Sequence, residues 1–277
     1  MSLIVCMEDV MLSKYKKYQL ILFLCLNSAL VGCFENTNSQ LTKNNQSVES
    51  YEVTSKSQNI SLKDKDKQDQ KDLSSSKIKE KVLLDAPIIS QHPELKNGCE
   101  VTSLAMLLNY EGIEADKIKL AEEVKKDDTP LTHDEDGNIE QWGNPNDGFV
   151  GDITGEEDGF GVYDKPIADL LDKYMPQRAI NLSNQSFNEL IKSVNDDKPV
   201  IVWITISYEK PKEYKKWKKG DQIIKATFDE HAVLLVGYDH KYCYINDPSS
   251  GEKNAKIKKS TFKKLWNKMG KMAVSYA

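Results

Sequence analysis

Cys99 stands just after Asn97 and Gly98 in the stretch "HPELKNGCEVTSLAMLLNY", residues 92–110. Asn97 is a good helix N-cap residue, and Glu100, three residues later, fits as its capping-box partner. That spacing predicts Cys99 at the second helical position. There, free backbone N–H groups and the positive end of the helix dipole favour a thiolate. The same N–H groups can hold an oxyanion formed on a substrate carbonyl. A buried, inert cysteine is the competing reading of the same residue. A nucleophilic thiol needs a base, and the chain offers His92, His133, His231 and His240. His92 is too near in sequence to be oriented freely, His133 lies in an acidic loop and His240 in a hairpin turn. His231 opens an apolar run and lies 132 residues after Cys99. The base in turn needs an orienting acceptor. Asn246 and Asp247 end the next strand-like segment, "KYCYIND". Strand alternation puts Asp247 with Cys243 and Ile245, on the smaller and more apolar face, and so favours Asp247. Gln91, eight residues before Cys99, can offer a side-chain amide N–H to an oxyanion.

Several elements must position these groups. "KVLLDAPIIS", 81–90, has strand composition but is interrupted by Pro87, which predicts a short or edge strand. Val101, Leu104, Ala105 and Leu108 follow the i, i+3, i+4, i+7 spacing of a helix, with Gly112 placed to end it. Further helices are expected over 114–126, with Ile118, Ala121 and Val124 inward, and over 164–175 and 186–196, the last opening on a Ser186–Glu189 capping box. Residues 132–161, rich in Gly, Asp and Asn, have no sustained period and are expected to form one long ordered loop. Its "DEDGNIE" lacks the spacing of a calcium-binding EF-hand loop. The β-branched run 198–208 predicts a central strand, and 231–239 with 241–247 a hairpin. Lysine-rich "EKPKEYKKWKKGD" is expected to be a solvated turn. A short helix from "STFKKLW" and a strand from "MAVSYA" close the chain. The order implies an α+β fold, a helical layer on an antiparallel sheet.

The 277 residues are 39% hydrophobic and 29% charged, with net charge -5 and no basic block of the kind that binds nucleic acid. Five cysteines are too few for a disulfide framework, although a Cys99–Cys243 bridge is open outside the cytosol. Lys14, Lys16 and Lys17 precede the apolar run "LILFLCLNSAL" and then "LVGC". The run has signal-peptide proportions and is short for a membrane span. "LVGC" resembles the lipobox of bacterial lipoproteins, which implies a diacylglyceryl group on Cys33 and a protein anchored at the extracytoplasmic face of the membrane. An uncleaved N-terminal anchor is the alternative. Residues 1–10 fit the pattern poorly and point to initiation at Met7 or Met11. Residues 34–81 are polar and poor in apolar side chains, a disordered tether. The domain proper is expected over 82–277.

The segments "LDAPIISQHPELKNGCEVTSLAMLLNY", "WGNPNDGFVGD", "GFGVYDKPIADLL", "EHAVLLVGYD" and "INDPSSG", in that order, resemble the bacteriocin-peptidase-like branch of the papain-type cysteine peptidases, the relatives of double-glycine leader peptidase domains. The Cys99–His231 separation also falls within the roughly 130–150 residues of the papain arrangement. The resemblance spans about Leu83 to Gly251. It implies a papain-like fold, with Cys99 as nucleophile, His231 as base, Asp247 as orienter and Gln91 in the oxyanion hole. It also implies that the loop around 143–161 borders the cleft. The implied chemistry is acyl transfer through a thioester on a peptide or protein substrate, with no metal or organic cofactor. The membrane and ATPase portions of a leader-processing exporter are absent from this sequence, so leader cleavage does not carry over. A cell-wall peptide amidase or acyltransferase on the same fold, and a catalytically inactive binding lipoprotein, remain the rival functions.

Overall fold

A computed structural model describes residues 77–277. The expected signal peptide, the lipobox Cys33 and all but the end of the tether lie outside the described residues. Among the described residues, no helix is long and apolar enough to cross a membrane. The elements in chain order begin with β1 (Val82–Leu83), α1 (Cys99–Tyr110) and α2 (Lys117–Glu123). Four short strands follow, β2 (Lys126–Asp127), β3 (Thr132–His133), β4 (Ile139–Gln141) and β5 (Phe149–Gly151), then β6 (Gly159–Gly161) and α3 (Asp164–Tyr174). Next come β7 (Ala179–Asn181), α4 (Phe187–Asn195), β8 (Val200–Thr205), β9 (Lys215–Lys219) and β10 (Gln222–Ala226). The chain closes with β11 (Glu230–Tyr238), β12 (Tyr242–Asn246), β13 (Ala255–Lys258), α5 (Lys259–Lys268) and β14 (Ala273–Tyr276).

The main sheet runs β13-β12-β11-β8-β14-β7, with β1 paired to the far end of β11, and every pairing in it is antiparallel. β8 and β11 are buried at every residue, so both faces of the sheet are covered. α1 and α3 pack together against β11, β8 and β14. α4 and α5 meet through Phe187 against Phe262 and Trp266, and pack on β8 and β11. β1 is only two residues long, in keeping with the short strand expected here. Gly112, at φ +76°, ends α1 and donates its N–H to Asn109 O at 3.1 Å.

Several expectations are corrected. The 132–161 stretch is not one loop but carries β3 to β6, strands of two or three residues and too short to show a period. The lysine-rich segment is not a solvated turn. β9 and β10 form a hairpin across Gly220-Asp221, and Trp217 is buried between exposed lysines. With Trp142, Val150, Phe160, Ile224 and Ala226 it forms a second small core. One inward aromatic per strand is enough for such a core, and the run of lysines hides it. α2 starts only at Lys117, where the Asp116 carboxylate accepts from the Ile118 and Lys119 N–H groups, and Ile118 is exposed. The Ser186 side chain makes no cap.

Candidate active site

α1 begins one residue later than the sequence suggests. Its N-cap is Gly98, not Asn97, so Cys99 occupies the first helical position. Asn97 turns away, its N–H bonding to Ile153 O at 3.1 Å and its side-chain amide to Asp152 O at 2.7 Å. Lys96 N–H adds a bond to Thr154 O at 3.3 Å. These three bonds tie the 152–154 turn to the approach to Cys99, and the two from Asn97 offer it more than a cap would. On its other side, this loop walls a groove of about 900 Å³ lined by Asp127, Asp128, Trp142 and Asp152 and by Glu156, Glu157 and Asp158.

Cys99 reaches β11 through a two-point latch. The Ala232–Trp203 pair is one of the non-hydrogen-bonded pairs of the antiparallel ladder, and Trp203 N–H turns instead to Met272 O at 3.3 Å. Ala232 therefore presents its backbone groups away from β8. β12 pairs with β11 only from Leu234 onward, so α1 takes the vacant edge. Ala232 N–H donates to Cys99 Sγ at 3.3 Å, and Ser103 Oγ donates to Ala232 O at 3.2 Å. Cys99 and Ser103 are four apart and share a helix face. The latch puts the thiol beside the residue that follows His231.

His231 is the buried histidine; His92, His133 and His240 are exposed. Its Nε2 bonds to Asp247 Oδ1 at 2.8 Å, and both side chains are almost wholly buried. Asp247 also accepts from Ser249 N–H at 2.9 Å and Ser250 N–H at 3.4 Å, and its Oδ2 accepts from Tyr208 Oη at 2.5 Å. Burial pushes the Asp247 carboxyl up. The hydrogen bond and charge of His231, with the Tyr208 hydroxyl and Ser249 N–H, outweigh it and hold the group well below the usual carboxylate range. Asn246, the alternative orienter, instead ties the chain: its amide donates to Ala86 O and Pro87 O and its Oδ1 accepts from Asn254 N–H. Gln91 N–H bonds to Pro248 O at 2.9 Å, which brings this segment against the end of β12. Its side-chain Nε2 donates to Lys96 O at 2.6 Å, leaving one amide proton over, and its Oε1 has no partner. Cys99 and Cys243 are not bridged. Both are free, and burial pushes the Cys243 thiol up to about 12.

Glu100 was expected to cap the helix, but it is fully buried. Its Oε1 accepts from Val162 N–H at 2.6 Å, and its Oε2 accepts from the Cys99 thiol at 3.4 Å. Glu230 lies beside it, with Oε1 unpartnered. The Cys99 sulfur and one carboxylate oxygen each of Glu100 and Glu230 all lie within 4.8 Å of one another. Gly161, at φ +138°, makes room: a Cβ there would sit 2.5 Å from Glu100 Oε1 and 3.2 Å from Glu230 Oε2. The sequence carries a signal for Glu230 that its polarity masks. On the β11 alternation Glu230 shares a face with Ala232 and Leu234, both wholly buried. Tyr208 had no such signal, since it comes from the turn beyond β8 at φ +54°.

Residues 83–274 match the Peptidase_C39 like family. The chain belongs to this family. A second C39-like chain, the crystal structure described as a candidate C39-like peptidase from Bacillus anthracis, is 41% identical. It superposes with a TM-score of 0.65 over 72% of this chain and 98% of its own. Uncharacterized protein YvpB of Bacillus subtilis (strain 168) is 40% identical over 182 residues, 66% of this chain and 70% of YvpB. Xylellain, a cysteine protease from Xylella fastidiosa, aligns over 72% of this chain and 86% of its own at 13% identity, with a TM-score of 0.37. The fold of this C39-like protein is papain-like α+β.

Proposed function

We propose that the protein is a surface-anchored cysteine peptidase that hydrolyses a peptide or amide bond through a thioester on Cys99. The observation that carries this is the His231–Asp247 hydrogen bond at 2.8 Å, beside a thiol latched to the next residue, Ala232. With Nε2 engaged by Asp247, the other ring nitrogen, Nδ1, is left to take the thiol proton. The thiolate attacks the carbonyl. The Cys99 backbone N–H and the second amide proton of Gln91 hold the oxyanion. His231 then protonates the leaving amine, and water releases the acyl group. No step calls for a metal or organic cofactor. The carboxylates of the 900 Å³ groove suit a cationic peptide. The lipobox-like "LVGC" supports anchoring through a lipid on Cys33 at the extracytoplasmic face.

The test is incubation of the full chain with a mixed peptide library and with cell-wall fragments, read by mass spectrometry, beside Cys99→Ala. New peptide termini that depend on Cys99 support the peptidase. Stem peptides freed only from wall fragments would shift the assignment to a wall amidase, and products joined to an added amine would shift it to an acyltransferase. No turnover of any of these, with His231→Ala leaving thiol reactivity unchanged, would leave a binding lipoprotein.

A further inference from the structure

A nucleophile in a Cys–His pair gains nothing from two buried carboxyl groups beside its sulfur. Negative charge there opposes the thiolate. The pair nevertheless has built-in accommodation. Gly161 supplies the space, and Val162 N–H fixes one oxygen of Glu100, which aims the other at the thiol. Among the described residues, no hydrogen bond joins Cys99 to His231; the thiol proton goes to Glu100 and the sulfur accepts only from Ala232 N–H. Among the described residues, no ion pair reaches either carboxyl.

Given the assignment of Cys99 as nucleophile, we propose that Glu100 is a pH gate on it: the ionised carboxylate parks the thiol away from His231, and protonation releases it, with Glu230 as its buried neighbour. Glu100 is thus a positioning residue, acting through Cys99. The groups facing it are the Cys99 thiol on α1, Glu230 on β11, and the Tyr163 hydroxyl ahead of α3; β8 contributes the uncharged Trp203, whose indole N–H bonds to Val162 O. Burial holds Tyr163 neutral, and the charge of Glu230 would add to the effect. Glu230 is buried beside Glu100 with one oxygen unpartnered, so burial first and Glu100 second push its carboxyl well above the ordinary range. Burial raises Glu100 to about 7, with the Val162 N–H opposing. Burial, then the charge of Glu100, push the Cys99 thiol well up.

The sign is unusual. Above about 7 the Glu100 anion accepts a hydrogen bond from the thiol, and the proton stays on the sulfur. Below that value Glu100 carries its own proton, the Sγ–H···Oε2 bond is no longer charge-assisted, and the thiol is free to turn and pass its proton to His231 Nδ1. Cys99 reactivity should therefore fall as pH rises through neutrality. An unperturbed thiol does the reverse, gaining reactivity toward about 8.5.

The experiment is iodoacetamide alkylation of the full chain from pH 5 to 9. Cys99 is followed by peptide mass apart from Cys6, Cys25, Cys33 and Cys243. The wild type should react several-fold more slowly at pH 8 than at pH 6. Glu100→Gln, which keeps the acceptor for Val162 N–H, should remove the decline and react about tenfold or more faster than wild type at pH 8. Glu230→Gln mimics the protonated neighbour and should keep a falling curve. A wild-type curve that rises with pH overturns the gate even if Glu100→Gln does not fold. So does a Glu100→Gln curve that overlays the wild type, or loss of the decline in Glu230→Gln alone. His231→Ala separates the two levels. If it lowers reactivity while Glu100→Gln changes nothing, the nucleophile assignment stands and the gate fails. If His231→Ala changes nothing at any pH, the nucleophile assignment itself fails.

Discussion

Asp247→Asn isolates the charge behind His231 from its shape. The asparagine can keep Oδ1 as acceptor for His231 Nε2–H and for Ser249 N–H, and can turn its amide toward Tyr208 Oη, so the hydrogen-bond frame survives. What goes is the negative charge 2.8 Å from the ring nitrogen, between side chains that are 1% and 6% exposed. At that burial solvent screens little. A hydrogen bond to a charged group is worth about 1.5–3 kcal/mol, and each 1.36 kcal/mol is tenfold. The thiolate–imidazolium population should fall by about 10- to 150-fold. The assay is Cys99 alkylation in the full chain at pH 6, with the melting transition recorded alongside to confirm folding. Tyr208→Phe is the companion, because it removes the 2.5 Å bond to Oδ2 and leaves the charge. Its effect should stay within a few-fold. An Asp247→Asn rate within about threefold of wild type, in a folded protein, would refute the idea that this carboxylate sustains the base.

Two further outcomes concern the buried carboxyl pair. Gly161→Ala should destabilise the domain by about 2–5 kcal/mol in urea. The left-handed backbone at φ +138° costs a side chain about 1–3 kcal/mol, and the Cβ would displace Glu100 from the Val162 N–H; a cost below about 1 kcal/mol would contradict the packing around Gly161. Glu100 should also make stability depend on pH. Between its ordinary 4.5 and its buried value of about 7, the native state keeps a proton that the unfolded chain has lost. The unfolding midpoint in urea should therefore drop as pH rises through that window, and Glu100→Gln should flatten the drop. A midpoint that rises over the same window in the wild type alone would mean that Glu100 is not held protonated by burial.

The sequence alone determined the elements that carry strong periodicity or composition. The stripe of Val101, Leu104, Ala105 and Leu108 marks α1, and the apolar runs mark β8 and β11. It also separated Asp247 from Asn246 as the residue beside His231, because alternation along a strand is a local property. Small or polar segments were not legible. β3 to β6 are too short for a period, and Trp217 is one inward residue among lysines, paid for by partners from β4, β5 and β6 that only the folded chain assembles. The same limit misplaced the cap of α1. Asn97 has the side chain of a cap, but its hydrogen bonds go to a turn 55 residues away, and a local propensity of about 1 kcal/mol yields to such bonds. Glu100 shows this most plainly. Its position relative to Asn97 reads as a surface cap, yet Gly161 and Val162 open a buried place for it, and Glu230 joins it from the strand that carries His231. Which acids stand beside the thiol is set by the packing of α1, β6 and β11, and burial there decides their charge.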